Sequence, residues 1–262
     1  MHQLIAYIKF LFRSSNQHGV HSPFVYDLLT KCLYLKGDKP AFQKIRAYWN
    51  SVNQNEEYIQ VTDFGAGSKV FTSENRKVGA IAKNAGISLK RAILLNKLIS
   101  YFKFESGLEL GTSVGISSAA IAMNNSISLT TLEGCPETAK VAQRYFDEYN
   151  LKNISLHIGE FDLLLDSILE KENINDSLEF DLVYFDGNHQ KEPTLKYFKK
   201  LLPLAHNNSV FIFDDIHWSA GMEEAWEEIK AHPSVRITID SFYWGLVFFR
   251  KEQEKEHFTI RL

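Results

Sequence analysis

The chain has 262 residues, a formal charge of −3, 45% hydrophobic and 23% charged residues. That length gives one large domain, or one domain with a small accessory region, and the composition is that of an ordinary globular protein. The acidic balance argues against a general nucleic-acid-binding surface. Two cysteines, Cys32 and Cys135, without a C-x-x-C pairing, suggest a reducing compartment, inert buried thiols and no zinc site.

The N-terminal stretch MHQLIAYIKFLFR is apolar but interrupted by Lys9 and Arg13. It lacks the basic leader and small-residue cleavage site of a secretory signal. No run reaches the roughly 18 uncharged residues of a membrane span. A cytoplasmic location is the expectation. Leu4, Ile5, Ile8, Leu11 and Phe12 recur at helical spacing, predicting an amphipathic helix over 3–13. It packs on the domain or on a second subunit, so a homodimer stays open; a membrane surface is the other reading. In HGVHSPFVYDLL, Ser22 is a helix cap and Pro23 the first helical residue. His18 and His21 either line a pocket or cap a turn.

Residues 30–60 read as helix and loop. The string VTDFGAGSK (Val61–Lys69) carries an acid and glycines but runs into polar, charged sequence rather than a small-residue helix. It reads as a loop joining an accessory region to the core, or as a flap over a ligand. Ser88 caps a helix through Phe102. From Gly107 onward strand and helix alternate, the signature of a parallel sheet with helices on both faces. The expected strands are Gly107–Leu110, Ser128–Leu132, Ile154–Ile158, Phe180–Phe185 and Ser209–Phe213. The helices are Ser117–Met123, Glu137–Tyr149, Asp162–Leu169, Pro193–Leu201 and Ala220–Ala231. Val235–Asp240 and Trp244–Arg250 flank a tight turn and predict a hairpin, with an antiparallel strand at one edge.

The stretch SGLELGTSVGIS (Ser106–Ser117) organises this pattern. A short apolar strand ends in an acid, Glu109, and turns through Gly111 and Gly115 into a helix of small residues. Gly111 allows close approach to the backbone, and the helix start offers unpaired N–H groups. The string G-T-S-V-G-I lacks the second glycine of the dinucleotide fingerprint G-x-G-x-x-G. A plain αβ turn and an S-adenosylmethionine site are the other readings.

Carboxylates then arrive at successive strand ends. Glu133 lies 24 residues after Glu109, where an acid accepts both ribose hydroxyls of an adenosine. Phe161 and Asp162 follow the third strand, where Phe161 stacks on an adenine and Asp162 bonds its amine or caps the helix. The fourth strand leads into Asp186-Gly187-Asn188-His189, placing a proton-transfer histidine beside a strand-end acid. The fifth ends in Asp214-Asp215. With Asp186 these offer an all-oxygen set of the kind Mg2+ accepts; without metal, Asp214 meets solvent or cofactor and Asp215 caps a turn.

Over Ile87–Arg250 the sequence resembles the class I S-adenosylmethionine-dependent methyltransferases, and within them the small-molecule, catechol-type O-methyltransferases. The motifs are LELGTSVGIS, TLEG, VYFDGNH and FIFDD. The resemblance implies a Rossmann-like, doubly wound α/β fold with a mostly parallel seven-stranded sheet, an antiparallel C-terminal hairpin and a mainly helical N-terminal cap. The domains expected are 1–86, a substrate-selecting cap, and 87–262, the cofactor-binding methyltransferase domain. It places Glu109, Gly111, Gly115 and Ser117 around the methionine part of the cofactor and Glu133 on the ribose. Thr112, Ser113, Phe161, Asp162 and Asp186 complete the cofactor set. It makes Asp186 and His189 catalytic, and Asp186, Asp214 and Asp215 the ligands of Mg2+. The family usually has Asn at the position of Asp215 and a lysine base at that of His189. The implied activity is methyl transfer to an oxygen of a small-molecule acceptor. An N-methyltransferase without metal, or a non-catalytic cofactor-binding protein, are the alternatives.

Overall fold

The structure, a computed structural model, describes residues 2–37, 40–62, 73–172 and 178–262. Of the glycine-rich string Val61–Lys69, residues 63–69 lie outside the described residues. In chain order the elements are α1 (His2–Arg13), α2 (Pro23–Leu28), α3 (Pro40–Asn53), β1 (Tyr58–Gln60), β2 (Asn75–Lys77), α4 (Val78–Ala85), α5 (Leu89–Phe102), β3 (Ser106–Leu110), α6 (Ile116–Ala122), β4 (Ser128–Glu133) and α7 (Pro136–Glu148). They continue with β5 (Ile154–Ile158), α8 (Phe161–Glu172), β6 (Phe180–Phe185), α9 (Lys191–Leu201), β7 (Ala205–Asp214), α10 (Ala220–Ala231), β8 (Ile237–Asp240), β9 (Trp244–Phe248) and β10 (Glu256–Thr259). The serine caps hold: Ser22, Ser88 and Ser219 side chains accept from the N–H groups of Val25, Arg91 and Met222.

The chain divides into two compact units. A middle unit spans Lys36–Leu178, and a terminal unit combines Met1–Leu35 with Glu179–Leu262.

In the middle unit β3, β4 and β5 form a parallel ladder with β4 in the centre. Leu108, Leu129 and Leu132 are wholly buried in it. Every residue of α6 is buried. The serines and alanines of that helix permit this, since a helix enclosed on all sides cannot carry long polar side chains. Its end is tied down by buried Asn96, whose amide nitrogen donates to the carbonyls of Ala120 and Met123, both at 2.8 Å. α3 joins this unit through Trp49, whose indole N–H donates to the Ile87 carbonyl at 3.1 Å.

In the terminal unit the strand order is β10-β8-β9-β7-β6. β6 and β7 run parallel, β9 is antiparallel to both β7 and β8, and β10 is parallel to β8. The reversed strand is therefore interior rather than at an edge, and all five of its residues are buried. Sequence pattern predicts seven sheet strands; β10 is an eighth. It escapes periodicity because Glu256-His257-Phe258-Thr259 is short, polar and mostly exposed. Aromatic rings fill the core, with Phe185 stacked on Phe213 at 4.2 Å between centroids. The two ends of the chain pair in this unit: Ser15 N–H donates to the Thr259 carbonyl at 2.9 Å, and Arg261 N–H to the Ser15 carbonyl at 3.1 Å.

Candidate functional site

The candidate residues fall on the two units and are taken in turn. In the middle unit, β3 delivers Glu109 into a fully buried position. The β3–β4 register sets Thr131 opposite it, so the Thr131 hydroxyl donates to Glu109 Oε2 at 2.7 Å. Ser118, from α6, donates to the same oxygen. Thr131 spends its proton on Glu109, so Thr112 donates to Thr131 Oγ1 at 2.6 Å. The other oxygen, Oε1, is buried and makes no hydrogen bond among the described residues. Burial raises the Glu109 pKa above the usual carboxylate value, against the pull of neighbouring serine and threonine hydroxyls, and the Glu133 charge adds to the rise.

Between β3 and α6 the backbone turns through left-handed conformations: φ is 102° at Gly111, 49° at Ser113 and 81° at Gly115. Gly111 and Thr112 N–H groups donate to the Leu132 carbonyl at 2.9 and 3.1 Å, which clamps the turn to the end of β4. There Glu133 accepts from Ser113 N–H at 2.7 Å and Cys135 N–H at 2.8 Å, one on each oxygen. Each carboxylate oxygen has a second lone pair, so both ribose hydroxyls of an adenosine still find an acceptor. Burial raises the Glu133 pKa as well, against those two N–H donors. Gly159 N–H donates to the Glu133 carbonyl at 2.9 Å, bringing the start of α8, with Phe161 and Asp162, beside the same strand end.

Glu109, Gly111, Thr112, Ser113, Gly115, Ser117 and Glu133 are thus gathered on one corner. Gly115 has a packing reason beyond its φ. A Cβ there would lie 2.6 Å from a Phe146 ring carbon and 2.7 Å from the Tyr48 hydroxyl. Tyr48, buried on α3, underlies the corner and has no local signal in the sequence. Ser118 and Thr131 were equally hidden until strand register is known. Buried Glu109 and half-buried Glu133 both hold their protons more tightly than usual, chiefly because water is removed from them. A cationic ligand is the electrostatic complement of such a pair.

In the terminal unit, Asp186 and His189 follow β6. His189 Nε2 stands 3.9 Å from Asp186 Oδ1, near enough for attraction and too far for a hydrogen bond. Asn188 between them adopts φ 54°. Asp214 ends β7 and is buried; Asp215 turns into the left-handed region at φ 51° and its carbonyl accepts from Trp218 N–H at 2.8 Å. The Mg2+ set expected from Asp186, Asp214 and Asp215 is not gathered: no group of three His, Cys, Asp or Glu side chains placed to hold a metal ion occurs among the described residues. Two residues after the pair, His217 is held by two acids. Its Nδ1 lies 2.8 Å from Glu223 and its Nε2 3.0 Å from Asp240. Both partners come from later in the chain, which hid this arrangement from sequence reading.

Residues 105–216 match a family model described as a methyltransferase domain. No curated protein matches the chain. Similar solved structures include an O-methyltransferase from Bacillus cereus in complex with SAH, at 18% identity and TM-score 0.52 over 86% of this chain and 95% of that one. Another is the O-methyltransferase TomG from Streptomyces achromogenes, involved in tomaymycin synthesis and in complex with SAM, at 18% identity and TM-score 0.55 over 86% and 95%. A SAH-bound methyltransferase from Podospora anserina gives 14% identity and TM-score 0.59 over 88% and 97%. The fold is theirs, mixed α/β with a mostly parallel sheet, and the stretch that matches the methyltransferase-domain model, residues 105–216, runs from β3 to just beyond β7.

Proposed function

We propose that the protein is an S-adenosylmethionine-dependent methyltransferase acting on an oxygen of a small-molecule acceptor, with residues 1–86 selecting that acceptor. The observation that carries this is the corner itself, a fully buried Glu109 with an unpaired oxygen and Glu133 one strand away around a left-handed glycine turn. The residues present fit the cofactor. Glu109, Gly111, Thr112, Ser113, Gly115 and Ser117 would hold its methionine part, Glu133 its ribose, and Phe161 and Asp162 its adenine; Asp186 completes the set. When bound it supplies an electrophilic methyl group. His189 would take the proton that the acceptor hydroxyl gives up, and the Asp186 carboxylate, 3.9 Å away, would attract the ring once it carries that proton. Because the donor is already reactive, the protein acts mainly by holding the partners in line. Among the described residues the carboxylates are not grouped to hold a metal ion.

Calorimetric titration with S-adenosylhomocysteine is the direct test. Binding in the micromolar range is expected, weakened roughly 10- to 100-fold by Glu133→Ala through loss of acceptors for the ribose. No binding at millimolar ligand would sink the reading. His189→Ala should lower kcat by about 10²–10⁴ while leaving that titration unchanged. An amine acceptor is the second reading, favoured by the ungathered carboxylates, since a neutral amine needs little activation. Mass spectrometry of products from mixed hydroxyl and amine acceptors separates the two.

A further inference from the structure

α1 is apolar on two sides, and only one of them is covered. Ala6 and Phe10, one helical turn apart, are buried at 5% and 6% exposure, with the Phe10 ring 5.5 Å from that of Phe242. On the other side Leu4, Tyr7, Ile8 and Leu11 follow the i, i+3, i+4, i+7 spacing that an ordinary surface helix turns toward its core, although the Tyr7 ring also packs edge-on against Phe242 at 4.8 Å. Here they are 65%, 41%, 47% and 40% exposed, flanked by Ile5 at 48% and Phe12 at 88%. An outward apolar stripe of this size marks a docking face. The helix contains two permanent charges, Lys9 and Arg13, and no acid. Neither makes an ion pair among the described residues. Glu223, an acid that faces the start of the helix, is 3.6 Å from His2 and also pairs with His217.

We infer that α1 is a membrane-surface anchor for a bilayer bearing anionic lipids. The stripe Leu4-Tyr7-Ile8-Leu11 and Phe12 enter the boundary between headgroups and acyl chains, and Lys9 and Arg13 meet lipid phosphates. Charge selects this occupant over a second copy of the chain. Two copies joined across a two-fold axis would set α1 against an equally basic α1, with no acid on either helix to answer Lys9 and Arg13. The protein as a whole is acidic, so the unpaired basic edge of α1 is what would turn it toward a negative surface. At 12 residues the helix is about 18 Å long, too short to cross a bilayer, and no described helix is long and apolar enough to do so. α1 therefore lies along the surface, fixed to its unit by Phe10 and Phe242. The inference does not rest on the methyl-transfer reading.

Sedimentation of the full chain with phosphatidylcholine vesicles, with and without phosphatidylserine, tests it. The expected result is binding to the phosphatidylserine vesicles that falls as salt rises. Lys9→Glu with Arg13→Glu should weaken it by roughly tenfold or more. Leu4→Glu with Phe12→Glu, at exposed positions that leave folding intact by circular dichroism, should abolish it. Failure to sediment with phosphatidylserine vesicles overturns the inference. So does equal sedimentation with neutral vesicles, unaffected by the Lys9 and Arg13 substitutions. A lipid-free dimer in analytical ultracentrifugation that Leu4→Glu disperses would show that a second copy covers the face instead.

Discussion

Burial changes the acidity of two ordinary residues, Glu109 and Glu133. Both have pKa values raised by loss of water, Glu109 further by the charge of Glu133. A ligand carrying a sulfonium and an ammonium favours their ionised forms and so expels protons on binding. Affinity for S-adenosylmethionine should therefore rise with pH across the carboxylate range and somewhat above it. Affinity for S-adenosylhomocysteine, which lacks the sulfonium charge, should rise less. Titrations in buffers of different ionisation enthalpy measure the protons released; equal release with both ligands would overturn this account. The acids themselves were readable, because a strand-end acid before a glycine turn is a local pattern. Their hydrogen-bond partners were not. Thr131 is opposite Glu109 only through strand register, and Tyr48 reaches Gly115 from 67 positions away in sequence.

At the scale of elements, the loop after β7 and the start of α10 are joined by one histidine. His217 donates from both ring nitrogens to Asp240 and Glu223, and its ring stacks on Phe242 at 5.2 Å. Burial works against its charge, but the two carboxylates outweigh burial and raise its pKa above the ordinary 6.5. A basic group with a raised folded-state pKa contributes stability that is fully present below its unfolded value and is lost as pH rises through the folded value. The urea-unfolding difference between the native chain and His217→Gln should thus be largest near pH 6 and shrink as pH rises past 6.5. His232 and His257, which burial pushes the other way, are common to both proteins and cancel in that difference. A difference that stays flat with pH would show that His217 acts by packing alone. Element boundaries were largely legible: α10 was expected at its observed limits, and β3 to β6 within a residue or so. The exceptions have a physical cause. β7 extends back to Ala205 through the polar run His206-Asn207-Asn208, which pairing rather than apolar pattern makes a strand.

At the scale of the whole molecule, the alternation of strand and helix was enough to imply the doubly wound class, because each crossover obeys local rules. The pairing of the chain's two ends was not implied, because β10 is four residues long, mainly polar and nowhere fully buried. Ser15 bonds to Thr259 and Arg261, and the Tyr34 hydroxyl donates to the Arg261 carbonyl at 2.6 Å. Deleting residues 256–262 removes all three bonds. Trypsin should then cut faster after Lys9, Arg13 and Lys31, while cleavage within the middle unit stays at the native rate. Unchanged cleavage in residues 2–35 would mean that α1 and α2 are held without the last strand.

The same end-to-end pairing sets an order of events during synthesis. Residues 2–35 belong to a unit whose strands all lie beyond Glu179. The ribosome must first make everything from Lys36 to Leu178, a delay of roughly 7 to 30 seconds at ordinary elongation rates. Through that interval Ala6 and Phe10 lack Phe242, the ring that covers them in the folded unit, and the stretch around α1 is the segment for which a chaperone would have most to offer.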